Sequence, residues 1–156
     1  MKLYLVRHGD YITNESNQDE LSEKGINEIK ELANFLMPLH IRVANIIHSG
    51  KIRAQQTAEL LSSGVACDQP LQARQGLNPN DAVTSFANEM MYENDDMFVI
   101  GHLPFISRLV GQLVVSNENK DIVVFHTGTI VCLESLDPTR WIIQWVWNSA
   151  FMPKNF

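Results

Sequence analysis

Two arginines, two histidines and a serine carry the clearest chemistry in this sequence, and each stands just beyond an apolar run. "LYLV" leads into Arg7 and His8, with Gly9 and Asp10 behind them. "VANIIH" leads into Ser49, with Arg53 four residues further on, and "MFVIG" leads into His102. A buried strand has little reason to end in a cation and an imidazole unless its end faces a metal, a phosphate or plain solvent. Histidine metal sites usually show close spacing such as HExxH. No such spacing occurs here, and no metal is expected. Phosphate suits the residue types better. Guanidinium forks bind phosphate oxygens in pairs, and helix N-terminal amides add donors without any side chain. An imidazole ringed by cations is pushed towards its neutral form, whose free lone pair can attack phosphorus. Either His8 or His102 then serves as a covalent nucleophile, and the other stabilises the transferring phosphoryl group.

These residues need a scaffold that brings distant chain segments together. Leu3 to Val6 reads as one buried strand, Val43 to Ile47 as a second and "MFVIG" as a third. The polar stretch Asp10 to Glu20 reads as a loop. "LSEKGINEIKELANFLMP" follows helical spacing, with Ser22 as cap, Glu23 in the first turn and Pro38 as stop. Ile26, Ile29, Ala33 and Leu36 give it a buried face, and Gly25 allows close packing. "KIRAQQTAELLSS" is the next helix and carries Arg53 on its first turn. Gly76 to Asn80 reads as a loop. "DAVTSFANEMMYE" reads as a helix burying Ala82, Val83, Phe86, Ala87 and Met90, and "FISRLVGQLV" as another. "DIVVFHTGTIVCLES" and "RWIIQWVW" read as an antiparallel pair turning at Asp137-Pro138. The fold class is therefore α/β: a mixed, mostly parallel sheet with helices on both faces. In such sheets the ligand site lies beyond the carboxyl ends of the parallel strands. If the three strands are parallel and adjacent, Arg7, His8, Ser49 and His102 converge there, and Arg53 can turn in.

Composition narrows the function classes. The 156 residues suit a single domain spanning 1–156. The formal net charge of -6 argues against general nucleic-acid binding, which needs a basic face. No apolar stretch approaches the roughly 18 residues of a membrane span. The apolar run at the start breaks at Arg7, short of a signal-peptide core. A cytoplasmic location is expected, with no membrane partner and a monomeric state. Cys67 and Cys132 lack both disulfide density and metal spacing, so both are expected as free thiols.

"LVRHGD", "LSEKG", "HSGKIRAQQTAE" and "GHLP" together resemble the histidine phosphatase superfamily, the phosphoglycerate-mutase-like group. The short length, the "RHGD" start and "GHLPFISRLVGQL" look most like its SixA-type phosphohistidine phosphatases. The resemblance implies a three-layer α/β/α sandwich and a phosphatase without metal or organic cofactor. It implies His8 as the residue that becomes phosphohistidine and Arg7 and Arg53 as the clamp on the phosphoryl group. His102 matches the second histidine at the same oxygens, and Ser49 the small polar position of the "SxxxRAxQT" segment. Gly9 is expected to let backbone and phosphate approach closely. The implied substrate is phosphohistidine on a histidine-containing phosphotransfer protein. A small-molecule phosphomonoesterase of the same superfamily and a non-catalytic phosphohistidine-binding module are the alternatives.

Many superfamily members use a carboxylate to protonate the leaving oxygen. The matching stretch here, "QARQGLNPNDAV", offers Asn78 and Asp81 but no glutamate. Asp10 and Asp81 are the reserve acids, and Asn78 is a candidate substrate contact. Taken singly, each residue has a plainer reading. Ser49 can cap the helix after it, Asp10 can fix a loop, and Asp81 can sit at a helix start. His48 and His126 read as structural, His40 as surface, and Trp141, Trp145 and Trp147 as packing.

Overall fold

The computed structural model describes residues 1–153. Alternation in the central strands sets the architecture. In β1 (Lys2–Arg7), Leu3 and Leu5 are buried on one face and Tyr4 and Val6 on the other. A strand buried on both faces needs cover on both. Nine further strands follow: β2 (Tyr11–Thr13), β3 (Asp19–Leu21), β4 (Arg42–Val43), β5 (Asn45–His48), β6 (Ala66–Cys67), β7 (Gln72–Ala73), β8 (Met97–Gly101), β9 (Ile130–Asp137) and β10 (Arg140–Trp147). Four helices cover them: α1 (Glu23–Leu36), α2 (Ile52–Leu61), α3 (Thr84–Met90) and α4 (Phe105–Val115). Leu3, Leu5 and Val99 pack with Phe86 and Met90 of α3 and with Phe105 and Leu109 of α4. Tyr4, Val6 and Phe98 pack with Ile29 and Leu32 of α1 and with Ala58 and Leu61 of α2. The product is the expected α/β/α sandwich.

The main sheet runs β10-β9-β1-β8-β5-β7. The pairings β1 with β8, β8 with β5 and β5 with β7 are parallel, while β9 is antiparallel to both β1 and β10. The three strands that end in chemistry are thus parallel and adjacent, with β8 in the middle. At α1, the Ser22 hydroxyl accepts a hydrogen bond from Gly25 N at 3.0 Å, as the capping pattern predicts.

Four expectations need correction. The stretch Asp10 to Glu20 is not all loop, because β2 and β3 form an antiparallel hairpin. Tyr11, Ile12 and Thr13 are good strand formers, and Asn14 Oδ1 closes the turn by accepting from Ser16 N and Gln18 N. The strand at Val43 to Ile47 divides at Ala44: β4 pairs with β6 in a separate small sheet, and only β5 joins the main one. The helix read from Asp81 begins at Thr84 and leaves Ala82 exposed, because the Asp81 carboxylate accepts from Asn78 N and closes a turn there. The strand read from Asp121 begins only at Ile130. Its missing part bonds to the end of β1 instead: Phe125 O accepts from the Arg7 side chain, and Gly128 N donates to Arg7 O and His8 O.

Candidate active site

Strand register creates the site. Arg7 pairs with Gly101 across β1 and β8, so the next residues on each strand, His8 and His102, must lie side by side. Their ring centroids are 5.0 Å apart. The backbone is held on both flanks, since Arg7 N donates to Thr129 O at 3.0 Å and His8 N to Gly101 O at 3.1 Å.

His8 is 3% exposed. Its Nδ1 lies 2.8 Å from Gly9 O. A carbonyl only accepts, so Nδ1 carries the proton and the neutral ring leaves its lone pair on Nε2. Burial, the dominant cause, lowers the pKa of this imidazole to about 4, with the Arg53 and Arg7 charges adding to the effect. The Gly9 carbonyl and Asp10 act the other way and do not prevail. His102 is lowered to about 3, first by burial and then by His8, Arg53, Lys51 and Arg7. Both rings are therefore neutral near pH 7.

The cations and the hydroxyl close round this pair. Arg7 Nη1 donates to Phe125 O at 2.7 Å. Arg53 stands on the first turn of α2, with Nη1 3.5 Å from Asp19 Oδ2 and its guanidinium carbon 4.9 Å from the Tyr11 ring centroid. Ser49 Oγ lies 2.5 Å from His102 Nε2 and accepts from Lys51 N at 3.3 Å. Ser49 is not the cap of α2, which starts from Lys51 without a side-chain cap hydrogen bond; its hydroxyl instead receives the Lys51 amide and touches His102. Four buried side-chain nitrogens or oxygens among the described residues lack a hydrogen-bond partner. Three of them are Arg7 Nε, Arg53 Nε and His102 Nδ1. Buried polar atoms are normally paired, so their concentration here marks a place that suits a polyvalent acceptor. A tetrahedral oxyanion is such an acceptor.

The other expected residues lie elsewhere. A Cβ on Gly9 would meet Gly25 O at 3.0 Å and Leu21 and Ile29 at 3.1 Å, so this glycine admits α1 rather than a phosphate. Asp10 is a brace: its carboxylate accepts from Ser22 Oγ at 2.6 Å, and its amide donates to Glu28 Oε1 at 3.0 Å. Asn78 and Asp81 line a separate hollow with Arg74, Ser85 and Glu89. His48 is buried, and its Nδ1 accepts from Gly50 N, a structural role. Among the described residues no group of three or more histidine, cysteine or carboxylate side chains is placed to hold a metal ion.

Three contributors escaped the sequence reading. Tyr11 meets His8 edge-on, with centroids 5.3 Å apart. Asp19 faces Arg53. Thr57, fully buried, accepts from Gly9 N at 3.1 Å and donates to Arg53 O at 2.7 Å. Thr57 has a helical position facing the first turn of α2, which was the available signal. Tyr11 and Asp19 were hidden by reading their segment as loop.

The model of the histidine phosphatase superfamily (branch 1) matches residues 3–82, which include Arg7, His8, Ser49 and Arg53. The chain belongs to that superfamily. Phosphohistidine phosphatase SixA of Escherichia coli is 25% identical over 119 residues, covering 72% of this chain and 74% of that protein. An uncharacterised protein of Picosynechococcus sp. is 35% identical over 92 residues, a match spanning 55% of this chain and 54% of that protein. The chain thus spans about half the length of that relative. The solved structure of the protein histidine phosphatase SixA with tungstate superposes with a TM-score of 0.83 at 22% identity, covering 95% of this chain and 97% of that one. That superposition establishes the histidine phosphatase fold for the chain.

Among the described residues no helix is long and apolar enough to cross a membrane.

Proposed function

We propose that this superfamily member is a phosphatase that removes the phosphoryl group from phosphohistidine on another protein, in two steps through His8. The observation that carries this reading is the His8 Nδ1 to Gly9 O contact, which aims a free Nε2 lone pair into a ring of cations. In the first step Nε2 attacks phosphorus. The P–N bond to the substrate ring breaks, and its electron pair returns to that ring. A substrate imidazole protonated on its distal nitrogen departs neutral, while His8 keeps its own proton on Nδ1. One imidazole replaces another, and no proton has to move. In the second step water attacks phosphorus and the P–N bond to His8 breaks. Both water hydrogens leave with the phosphate, and His8 regains its lone pair.

The arginines and His102 supply the electrostatics. Arg7 and Arg53 neutralise charge on the transferring oxygens, which is the main task of a phosphoryl-transfer site. Ser49 holds His102 Nε2, which leaves the buried, unpartnered Nδ1 of that ring as the atom available to the same group. Neither reserve acid contributes: Asp10 is bonded to Ser22, and Asp81 to the Asn78 amide. A site of this kind favours P–N bonds over alkyl esters, because an alkoxide needs a proton to leave and an imidazole does not. The partner this chemistry suits is a phosphorylated histidine-containing phosphotransfer protein, a reading supported by the likeness to SixA.

The test compares turnover of a phosphorylated phosphotransfer domain with that of simple alkyl phosphates, alongside His8→Ala. The phosphoprotein is expected to be preferred, with acid-labile phosphate trapped on the wild type and absent from His8→Ala. Activity surviving in His8→Ala overturns the covalent route. Preference for alkyl esters overturns the substrate. Failure of the wild type to acquire phosphate makes the protein a binding module.

A further inference from the structure

The Asp10 carboxylate is engaged by Ser22, and the next residue lies against His8. Tyr11 sits on β2, a strand whose β-hairpin with β3 lies outside the main sheet. The ring makes two contacts there. Its centroid lies 5.3 Å from that of the His8 imidazole, with the two rings at 68° to one another. It also carries the Arg53 guanidinium over its face at 4.9 Å. One side chain therefore borders both His8 and the Arg53 guanidinium.

The residue is nevertheless 42% exposed. Its phenol oxygen makes no hydrogen bond among those of the described residues. The ring thus has a guanidinium over one face, a buried imidazole steeply inclined to it and part of its surface open to solvent beside the site. Aromatic rings prefer offset stacks or edge-to-face pairs, and a guanidinium behind a ring reinforces such a stack from the other side.

We infer that Tyr11 is a specificity-determining residue that receives the ring of an aromatic leaving group at the mouth of the crevice. The inference rests on the phosphatase reading above and names what that site selects: a flat imidazole over a small aliphatic leaving group. Tyr11 adds no step to the chemistry. It acts by packing, so its effect falls on binding and on the choice between substrates.

Two P–N compounds separate this from a merely structural role. N-phosphoimidazole has a ring on its leaving nitrogen and phosphoramidate has none. The quantity measured is the ratio of their kcat/KM values, which cancels any loss the two substrates share through Arg53. Phenyl phosphate and ethyl phosphate give the same ratio for esters. In Tyr11→Leu the preference for the ring-bearing member is expected to fall about 2- to 10-fold, mainly through KM. In Tyr11→Phe and Tyr11→Trp it is expected to persist. An unchanged ratio in Tyr11→Leu overturns the inference, because Tyr11 then serves only to hold Arg53. An equal fall in Tyr11→Phe also overturns it, because the hydroxyl and not the ring face is then responsible. If the wild type leaves both P–N compounds intact and hydrolyses the esters, the phosphohistidine reading fails. The ester ratio then decides the role of Tyr11 by the same outcomes.

Discussion

The Nδ1 atom of His8 lies 2.8 Å from the carbonyl oxygen of Gly9, the next residue in the chain. One local contact fixes which nitrogen of the ring is free, and it does so before any substrate arrives. The contact needs Gly9 held in place, and α1 holds it through Gly25 and Ile29.

A neutral His8 has consequences in acid. The ring is expected to stay unprotonated from pH 7 to about 5 and to titrate near 4, with His102 following near 3. Unfolded, both rings take protons near 6.5. Between those values the unfolded chain binds more protons, so stability is lost as pH falls below 6.5 and the loss levels off below about 3. Ring nitrogen shifts in NMR follow the first effect. Urea midpoints across the same range follow the second, with a shallower slope expected for His8→Gln and His102→Gln. A His8 that titrates near 6.5 contradicts the burial argument.

Arg53→Ala should weaken inhibition by inorganic phosphate and lower kcat about 100- to 1000-fold, the range seen when one donor to a developing charge is removed. Arg53→Lys should recover only part of this, since an ammonium offers no fork. Inhibition constants from steady-state kinetics read the first effect. Unaltered oxyanion inhibition in Arg53→Ala would remove this residue from the clamp.

Thr57 joins the chain segment of His8 to that of Arg53, through Gly9 N on one side and Arg53 O on the other. It is a positioning residue and touches neither reacting atom. Thr57→Val keeps the shape and loses both hydrogen bonds, and kcat is expected to fall about tenfold, as misplacement of the reacting groups predicts. Thr57→Ser restores the hydroxyl and should restore kcat. A variant pair with equal kcat but different melting temperatures would make the role purely structural.

Gly25 has no room for a side chain. A Cβ there would fall within contact distance of the Asp10 backbone, including its carbonyl oxygen. Gly25→Ala is expected to cost about 1–3 kcal/mol, the usual range for overpacking, and to lower activity by shifting the segment behind His8. Urea denaturation and kcat measure the two effects. A stable, fully active Gly25→Ala would show that α1 can move away freely.

Much of the site was legible because apolar runs end abruptly in chemistry. Leu3 to Val6, Ile46 to Ile47 and Met97 to Ile100 are each buried on both faces, so their patterns read as strands without ambiguity. Parallel register then places His8 beside His102 without further information. The rest depended on contacts no local pattern records. Asp10 and Tyr11 are neighbours, yet Asp10, the one the sequence marked, is bonded to Ser22, while Tyr11, on the hairpin of β2 and β3, lies against His8. Gly9 looked like room for a ligand, yet the space it leaves is taken by α1. Residues 121–129 resemble a strand in composition, but their backbone is spent on Arg7 and His8.

The backbone amide of His8 donates to Gly101 O, one step past the end of β1, while Arg7 N donates to Thr129 O on the other flank. His8 is thus clipped to the sheet between a parallel and an antiparallel neighbour of β1. Its amide hydrogen should exchange with solvent only when the central strands separate, at the slow rate of the core rather than the fast rate of a surface loop.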